Sequence, residues 1–497
     1  MSRTIPTLFS HQMEFYQFFN HESILILPTG TGKTICSVAP LVNNKLVFLC
    51  PSIIADQIKN TLINLFNIET LSVKDIVPKK RRDIYEEFDE SKNKALILPY
   101  PLLINDYKFI MNKGIFTKNN LAFICDEASI LANPKNKSYK LIKAIFSVNI
   151  QAPKILMTAT IGDPVKLHTM LSVFQNPMPF KEFSQYVRWE QIKINRYRTI
   201  SRPVEFKNIK QFMNHPKISS KVFIRNKSEM DISLPSFVVH EYNVKHTSIY
   251  KQAYNRAIEY FADDFLNRYK SDKYAQIQID LSLITLVYLA PHLVIGDPKK
   301  YPPKYLDILS LLKIRENENF IIYSNFLYPL NDLKEFLESK GIQTLLVSSE
   351  SKDAKSQIES FIKKPNQKVL LGTSSISHGI DGLQKHFNNI VFPNPATYEA
   401  YQQASGRISR IGSDHTVANI HLFIVEDSIE KTLWQKTMNR LILMDQMNIE
   451  MTEGLIYKPF LEPNKSPDNW ETVKLKEYRE ILEATQKLIN KKRLKNS

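Results

Sequence analysis

A glycine-rich turn near the start of the chain constrains the fold more than any other segment. Residues 27–34 read Leu-Pro-Thr-Gly-Thr-Gly-Lys-Thr, follow the apolar run 23–27 and precede a stretch that is able to form a helix. A strand, turn and helix start of this kind point several backbone N–H groups into one concavity, where the helix dipole also favours negative charge. The segment therefore predicts a binding site for a nucleoside triphosphate.

The residue types of the turn suit a triphosphate and Mg²⁺. Gly30 and Gly32 let the backbone approach a phosphate closely. Lys33 is able to reach the β- and γ-phosphates, and the Thr34 hydroxyl is a suitable Mg²⁺ ligand. Since Leu27 stands where the full pattern has glycine or alanine, an ordinary tight turn that carries a lysine is the alternative. The expected nucleotide contacts are Pro28, Thr29, Gly30, Thr31, Gly32, Lys33 and Thr34.

Length and composition restrict the class of protein. A chain of 497 residues is too long for one core, so two or three domains are expected. The hydrophobic content of 43% and the mean hydropathy of −0.26 fit a soluble protein, and without an apolar run of about 18 residues no membrane span is expected. Three dispersed cysteines suit a reducing compartment. We therefore expect a cytoplasmic location, with the nucleus as an alternative.

The charge balance favours a polyanionic partner. Lysine and arginine number 66 against 50 aspartates and glutamates, which gives a net charge of +16. Nucleic acid is the expected partner, although AT-rich coding, which inflates lysine, accounts for part of the excess. The basic run 79–82 is able to bind phosphates or to direct localisation, but a solvated face is the commoner role of such a run.

Apolar runs alternate with helical stretches in two regions, which predicts an α/β fold with two parallel sheets flanked by helices. The runs are 23–27, 46–50, 95–98, 121–125 and 155–157 in the first region, and 320–323, 344–347, 369–371, 390–392 and 420–424 in the second. The segment between the two regions has basic and aromatic helical stretches with few strand signals. The expected domains are lobe 1 at 1–180, a mostly helical insert at 181–303, lobe 2 at 304–445 and a basic extension at 446–497.

Two acids follow the fourth apolar run of the first region. In open α/β sheets ligands bind at the carboxyl ends of strands, which places Asp126 to hold Mg²⁺ and Glu127 to orient or deprotonate the attacking water. After a strand, an Asp-Glu pair is otherwise usually a solvated loop. Thr158 and Thr160 follow the next run, where hydrogen bonds to the second lobe and a simple turn are equally good interpretations.

The second region carries two arginines three residues apart. On a helix, Arg407 and Arg410 share a face, and a guanidinium at the γ-phosphate is worth about 10³–10⁵ in rate in phosphate-loop enzymes. An ordinary exposed helix, the alternative, would have no need of Gly406. Earlier in this region, Thr373 and Ser374 supply hydroxyls suited to a nucleic-acid backbone.

Taken in order, these segments resemble the motifs of superfamily-2 helicases, and more narrowly the Swi/Snf-type branch of DNA-translocating ATPases. The resemblance extends over residues 5–445 and implies two RecA-like lobes that bind the same ATP. The branch is indicated by the basic stretch 223–227 before Leu234-Pro235, and by the helical stretch 276–293. Ser129 departs from the family pattern, in which histidine is commoner.

The resemblance also implies roles for individual residues. Gln12 lies in the adenine-reading motif Leu8–Gln12 and is expected to contact the base, and Gln403 joins Arg407 and Arg410 in the motif that acts on ATP. Residues 372–382 match a further motif, in which we assign Gly379 and Asp381 to the nucleotide. The expected nucleic-acid contacts are Pro51, Ser52, Tyr100, Thr373 and Ser374.

The chain is compact and is similar to the nucleoside triphosphatase I family of poxviruses and related cytoplasmic DNA elements. That family implies DNA-dependent ATP hydrolysis during transcription, including transcript release, with RNA polymerase as a possible partner. RNA or a DNA–RNA hybrid is the alternative polymer. A strand-separating helicase, a non-catalytic subunit of a transcription complex, and a phosphate-loop kinase or GTPase are the alternative functions.

Overall fold

A computed structural model of the chain describes residues 3–28, 30–117, 120–195, 198–226, 229–230, 234–270, 281–297, 299–348, 351, 354–373, 382–410, 412–447 and 455. The chain divides into two compact units. Unit 1 comprises residues 1–188, 206–234 and 442–452, and unit 2 comprises residues 189–205, 235–441 and 453–497.

Strands and helices alternate along much of the described chain. The strands are β1 (Glu22–Ile26), β2 (Lys45–Cys50), β3 (Thr70–Ser72), β4 (Ala95–Pro99), β5 (Leu121–Cys125), β6 (Lys154–Thr158), β7 (Val187–Asn195), β8 (Arg198–Phe206), β9 (Val222–Ile224), β10 (Ser236–Val244), β11 (Phe320–Tyr323), β12 (Gln343–Val347), β13 (Lys368–Gly372), β14 (Asn389–Phe392) and β15 (Val417–Val425). The helices are α1 (Ser10–Phe18), α2 (Lys33–Val38), α3 (Ala55–Phe66), α4 (Pro78–Glu90), α5 (Tyr100–Asn112), α6 (Lys137–Val148), α7 (Pro164–Leu171), α8 (Phe180–Phe183), α9 (Ile209–Met213), α10 (Pro216–Ser219), α11 (Ser248–Lys270), α12 (Leu281–Leu289), α13 (Pro291–Ile295), α14 (Pro303–Ile314), α15 (Leu327–Ser339), α16 (Ala354–Ile362), α17 (Tyr398–Ser405) and α18 (Ile429–Gln446).

Unit 1 is built on a parallel sheet with the strand order β3-β4-β2-β5-β6-β1-β9. Every residue of β1, β2, β4, β5 and β6 is buried, as expected for a parallel sheet that is covered on both faces. The five apolar runs of the first region are therefore confirmed as strands. The three cysteines of the chain, Cys36, Cys50 and Cys125, are free and buried in this unit, and burial raises the pKa of each thiol.

Unit 2 contains a second parallel sheet with the strand order β10-β15-β14-β11-β13-β12. The five apolar runs of the second region form its strands β11 to β15, which confirms the α/β class with two sheets. Large side chains fill its core, including the fully buried Tyr250, Tyr305 and Phe336.

The described part of the segment 181–303 contains four strands as well as the expected helices. β7 and β8 form a two-stranded sheet, β9 joins the sheet of unit 1, and β10 joins the sheet of unit 2. These strands contain no apolar run longer than three residues. β9 has three residues, and β10 is an edge strand on which only Phe237 and Val244 are buried. Edge strands are exposed on one side, so their sequences remain polar.

The basic run 79–82 lies in α4 and is only partly a solvated face. Arg81 is buried and pairs with Asp106 of α5 through two hydrogen bonds of 2.6 and 2.9 Å, while Tyr85 donates to the same carboxylate at 2.8 Å. The Arg82 guanidinium lies over the Phe109 ring. These residues tie α4 to α5, so phosphate binding is not the role of Arg81.

An ion pair lies in the core of unit 2. The Lys304 ammonium donates to Glu430 at 2.6 Å, and both side chains have no solvent exposure. The other Glu430 oxygen accepts from the backbone N–H of Val425 at 2.8 Å. The pair therefore joins the first turn of α14 to the first turn of α18 and the end of β15.

We expect Lys304→Met to lower the free energy of unfolding by about 3–5 kcal/mol, because it leaves an uncompensated buried carboxylate. The double variant Lys304→Met/Glu430→Gln keeps an acceptor for Val425 without a charge and should recover most of the loss. Urea denaturation measures both. Lys334→Met is the control, since it breaks a partly exposed pair with Glu338 on α15 and should cost less than about 1 kcal/mol. Equal losses in the two single variants would contradict the prediction.

Candidate nucleotide-binding site

The glycine-rich turn links β1 to α2, as predicted. Leu27 is fully buried, and its N–H donates to the Thr158 carbonyl of β6 at 3.3 Å, which extends the sheet into the turn. Gly30 and Gly32 both have φ near +80°, which a residue with a side chain rarely adopts. The Thr31 hydroxyl donates to the Pro28 carbonyl at 2.8 Å and closes the turn.

Lys33 is the first residue of α2. Its ammonium donates to the carbonyls of Leu27 and Pro28 at 3.1 and 3.0 Å, so the side chain folds back over the turn. Thr34 follows in the same helical turn and is half-buried. The predicted phosphate and metal ligands are thus adjacent on one short segment. Thr29 lies outside the described residues.

Gln12 belongs to α1, which packs against the turn. Its side chain is 1% exposed, its amide nitrogen lies 3.5 Å from the Thr31 carbonyl, and its amide oxygen accepts from the Phe9 N–H at 3.1 Å. A Cβ atom at position 32 would displace the end of the Gln12 side chain, so Gly32 leaves room for the Gln12 amide beside the turn. His11, which the sequence analysis did not single out, also contacts Thr31, and its position beside Gln12 is the only signal that could have found it.

The two acids follow β5 directly. The Asp126 N–H donates to the Leu49 carbonyl of β2 at 2.8 Å, and one Asp126 carboxylate oxygen accepts from the Glu127 N–H at 2.8 Å. Glu127 has φ of +47°, a strained conformation for a residue with a side chain. Its Oε2 atom is buried and has no hydrogen-bond partner in the described part of the chain. A carboxylate oxygen held in this way is suited to orient a water molecule.

The environment of Asp126 fits a bound cation. Burial and the neighbouring Glu127 charge raise the pKa of Asp126 to about 7, although Lys33 opposes the shift. Within the described residues, no group of three or more His, Cys, Asp or Glu side chains could hold a metal ion. Mg²⁺ is commonly held by one or two protein ligands, with phosphates and water completing its shell. Asp126 and Thr34 are the residues that would hold it.

Tyr100 does not fit the expected contact with a nucleic-acid strand. The residue is the first of α5, it is 3% exposed, and its hydroxyl donates to the Asp126 carbonyl at 2.7 Å. A side chain covered in this way has no surface to offer a polymer. The hydrogen bond instead fixes the backbone at the point where β5 delivers the two acids.

The threonines after β6 form a local turn. The Thr158 hydroxyl donates to the Thr160 carbonyl at 2.8 Å and accepts from the Thr160 N–H at 3.1 Å. Asp163 then caps α7 by accepting from the Lys166 N–H at 2.8 Å, with Pro164 at the first helical position. Of the two interpretations left open by the sequence, the structure favours the turn.

Gln403, Arg407 and Arg410 lie in unit 2 and are 7–8% exposed. Gln403 is on α17, but the helix ends at Ser405, so the prediction that the two arginines share a helix face is wrong. After the helix the hydrogen bonds span three residues and not four, because the Arg407 N–H donates to the Ala404 carbonyl. The Arg410 Nε atom donates to the Gly406 carbonyl at 3.0 Å, so this turn positions the Arg410 guanidinium.

The remaining predicted contacts are placed only in part. Ser52 is exposed and Pro51 half-buried, at the start of a short helical turn after β2, and Thr373 is half-buried after β13. These three residues are accessible to a ligand. Ser374, Gly379 and Asp381 lie outside the described residues.

Comparison with known families agrees with this geometry. The DEAD/DEAH box helicase family matches residues 9–167, and the helicase conserved C-terminal domain matches residues 303–412. The first match contains the glycine-rich turn and the two acids, and the second contains Gln403, Arg407 and Arg410. The chain therefore contains the two domains of a superfamily-2 helicase, and it is an ATP-hydrolysing enzyme of the helicase and translocase type.

Solved structures with a similar chain course include the SWI2/SNF2 ATPase core of Sulfolobus solfataricus in complex with dsDNA, at 15% identity over 87% of this chain and 91% of that chain, with a TM-score of 0.38. The Hef helicase domain of Pyrococcus furiosus is similar at 14% identity over 86% of this chain and 97% of that chain, with a TM-score of 0.47.

A comparison with curated proteins finds no match. None of the helices in the described ranges is long and apolar enough to cross a membrane.

Proposed function

We propose that the protein is a nucleic-acid-dependent ATPase that uses ATP hydrolysis to move along DNA. The observation that carries the proposal is the convergence of the phosphate turn, Lys33 and the buried Asp126 at the carboxyl edge of the unit 1 sheet. The net charge of +16 supports a polyanionic partner.

Each residue has a defined part in this proposal. The turn and Lys33 bind the β- and γ-phosphates, Gln12 contacts the base, and Glu127 orients the attacking water. Arg407 and Arg410 stabilise the charge that develops on the γ-phosphate, with Gln403 beside them. Mg²⁺ supplies charge neutralisation when it is bound by Thr34 and Asp126. Because ATP and ADP differ in the γ-phosphate contacts, hydrolysis changes which conformation the nucleotide favours.

The finer assignments rest on the sequence motifs alone. We propose DNA as the polymer, and transcription, including transcript release, or genome maintenance of a virus-like element as the process, by similarity to the nucleoside triphosphatase I family of poxviruses. Pro51, Ser52, Thr373 and Ser374 are the proposed nucleic-acid contacts. The proposed domains remain 1–180, 181–303, 304–445 and 446–497, and a cytoplasmic location follows from the same similarity.

The test is stimulation of ATP hydrolysis by nucleic acid. We expect the ATPase rate to rise with saturating duplex DNA, and the half-saturating DNA concentration to rise at least about tenfold between roughly 50 and 200 mM salt, because bound phosphates release counterions. Single-stranded DNA and RNA are run in parallel to rank the polymers. A rate that none of the three changes would overturn the proposal, whereas stimulation by RNA alone would replace DNA as the polymer.

A further inference from the structure

Two buried side chains of α1 hold one carbonyl of the phosphate turn. The His11 Nε2 atom lies 2.9 Å from the Thr31 oxygen, and the Gln12 amide nitrogen lies 3.5 Å from the same oxygen. Both side chains are 1% exposed. The shorter distance is that of an ordinary hydrogen bond and the longer one is at the limit, so His11 is the main partner of this carbonyl.

Thr31 occupies a part of the turn that needs an external restraint. Gly30 and Gly32 flank it with φ of +82° and +80°. Glycine adopts positive and negative φ with similar ease, so the peptide groups on either side of Thr31 are able to rotate at little cost. The Thr31 hydroxyl is bonded to Pro28, but that bond does not fix the direction of the Thr31 carbonyl.

Fixing this carbonyl also fixes a donor. The C=O and N–H of a trans peptide point in opposite directions, and the described residues contain no cis peptide. With the Thr31 oxygen turned toward His11 of α1, the Gly32 N–H is turned away from that helix. Backbone N–H groups at the start of a helix are the donors that bind phosphate in such turns.

We propose that His11 is a positioning residue for phosphate binding. Its ring nitrogen donates to the Thr31 carbonyl and holds the Thr31–Gly32 peptide in the orientation that presents the Gly32 N–H to the β-phosphate of a nucleoside di- or triphosphate. The proposal rests on the proposed function of the turn. It differs from the role of Gln12, which concerns the base.

The test compares two replacements of His11. His11→Phe keeps an aromatic ring and removes the donor, whereas the amide nitrogen of His11→Gln is able to occupy the place of Nε2. We expect His11→Phe to weaken ATP binding about fivefold, the loss of one hydrogen bond, and His11→Gln to stay within about twofold of the wild type. A fluorescent ATP analogue measures the affinities.

Competition by tripolyphosphate separates the phosphate from the base. It should weaken in His11→Phe by the same factor as ATP, because it uses the turn without any contact to adenine. His168→Phe is the matched control, since that ring nitrogen bonds the Met178 carbonyl at 2.8 Å in the same unit without touching the turn. The control should keep wild-type affinities even if its melting temperature falls.

The outcomes are distinguishable. Unchanged ATP and tripolyphosphate affinities in His11→Phe would overturn the proposal, and so would a loss confined to ATP, which would assign His11 to the base. Lys33→Ala is measured beside them. If Lys33→Ala binds and hydrolyses ATP normally, the proposed function of the turn fails; if only the His11 expectation fails, the turn keeps its function and His11 is an ordinary buried residue.

Discussion

Replacement of Lys33 by alanine is expected to reduce ATP hydrolysis by at least about 10³-fold, because the charge that should neutralise the β- and γ-phosphates is removed. In the structure the ammonium already lies at the turn, 3.1 and 3.0 Å from the Leu27 and Pro28 carbonyls. Its charge also lowers the pKa of Asp126, which burial raises. A steady-state phosphate-release assay measures the rate, and a nucleotide-binding assay measures the accompanying loss of affinity.

The control for this variant is Lys140→Ala, an exposed lysine on α6 in the same unit. It should leave the rate within about twofold of the wild type, as expected for a surface substitution. Retained turnover in Lys33→Ala would assign phosphate binding to another segment. Far-ultraviolet circular dichroism of both variants separates lost chemistry from lost folding.

Replacement of Arg410 by alanine is expected to lower the turnover number by about 10³–10⁵ while ATP binding stays within a few-fold of the wild type. The reason is that a guanidinium acting on the γ-phosphate stabilises charge that is greatest in the transition state. Arg407→Ala should behave in the same direction. Turnover and ATP affinity are measured separately, so that a kinetic loss is not confused with a binding loss.

Arg410→Lys tests whether the several N–H donors of the planar guanidinium are needed, since lysine keeps the charge but not that group. The Arg410 Nε atom bonds the Gly406 carbonyl, so the lysine variant should also lose part of the turn and recover little activity. Melting temperatures of all three variants are compared with the wild type. Loss of ATP binding in a well-folded Arg410→Ala would mean that this arginine has been assigned the wrong role.

The sheets and the nucleotide turn could be predicted because their signals are local. A strand buried on both faces must be apolar along its whole length. Apolar runs such as 46–50 and 369–371 were therefore sufficient to locate their strands. A turn that binds phosphate needs glycine at fixed positions, and both Gly30 and Gly32 have a positive φ.

Some of the features that the sequence did not predict depend on contacts between residues far apart in the chain, and others depend on the local backbone or on the position of a strand at the edge of a sheet. The pattern at Arg81 looks like a solvated basic face until Asp106 of the next helix is placed beside it. Tyr100 is buried, and its hydroxyl donates to the carbonyl of Asp126, 26 residues away. The end of α17 before Arg407 is set by a local change in hydrogen bonding that residue types do not encode. β10 was missed because an edge strand can remain polar.

The burial of Cys36, Cys50 and Cys125 makes the native chain a ready scaffold for fluorescence experiments. Maleimide dyes attack thiolates, and burial both shields these thiols and disfavours their ionised form. A single cysteine placed at an exposed position in each unit would then be the only fast-reacting thiol there. A donor–acceptor dye pair on such sites would report the distance between the units through successive rounds of ATP turnover. The native cysteines would not have to be replaced first.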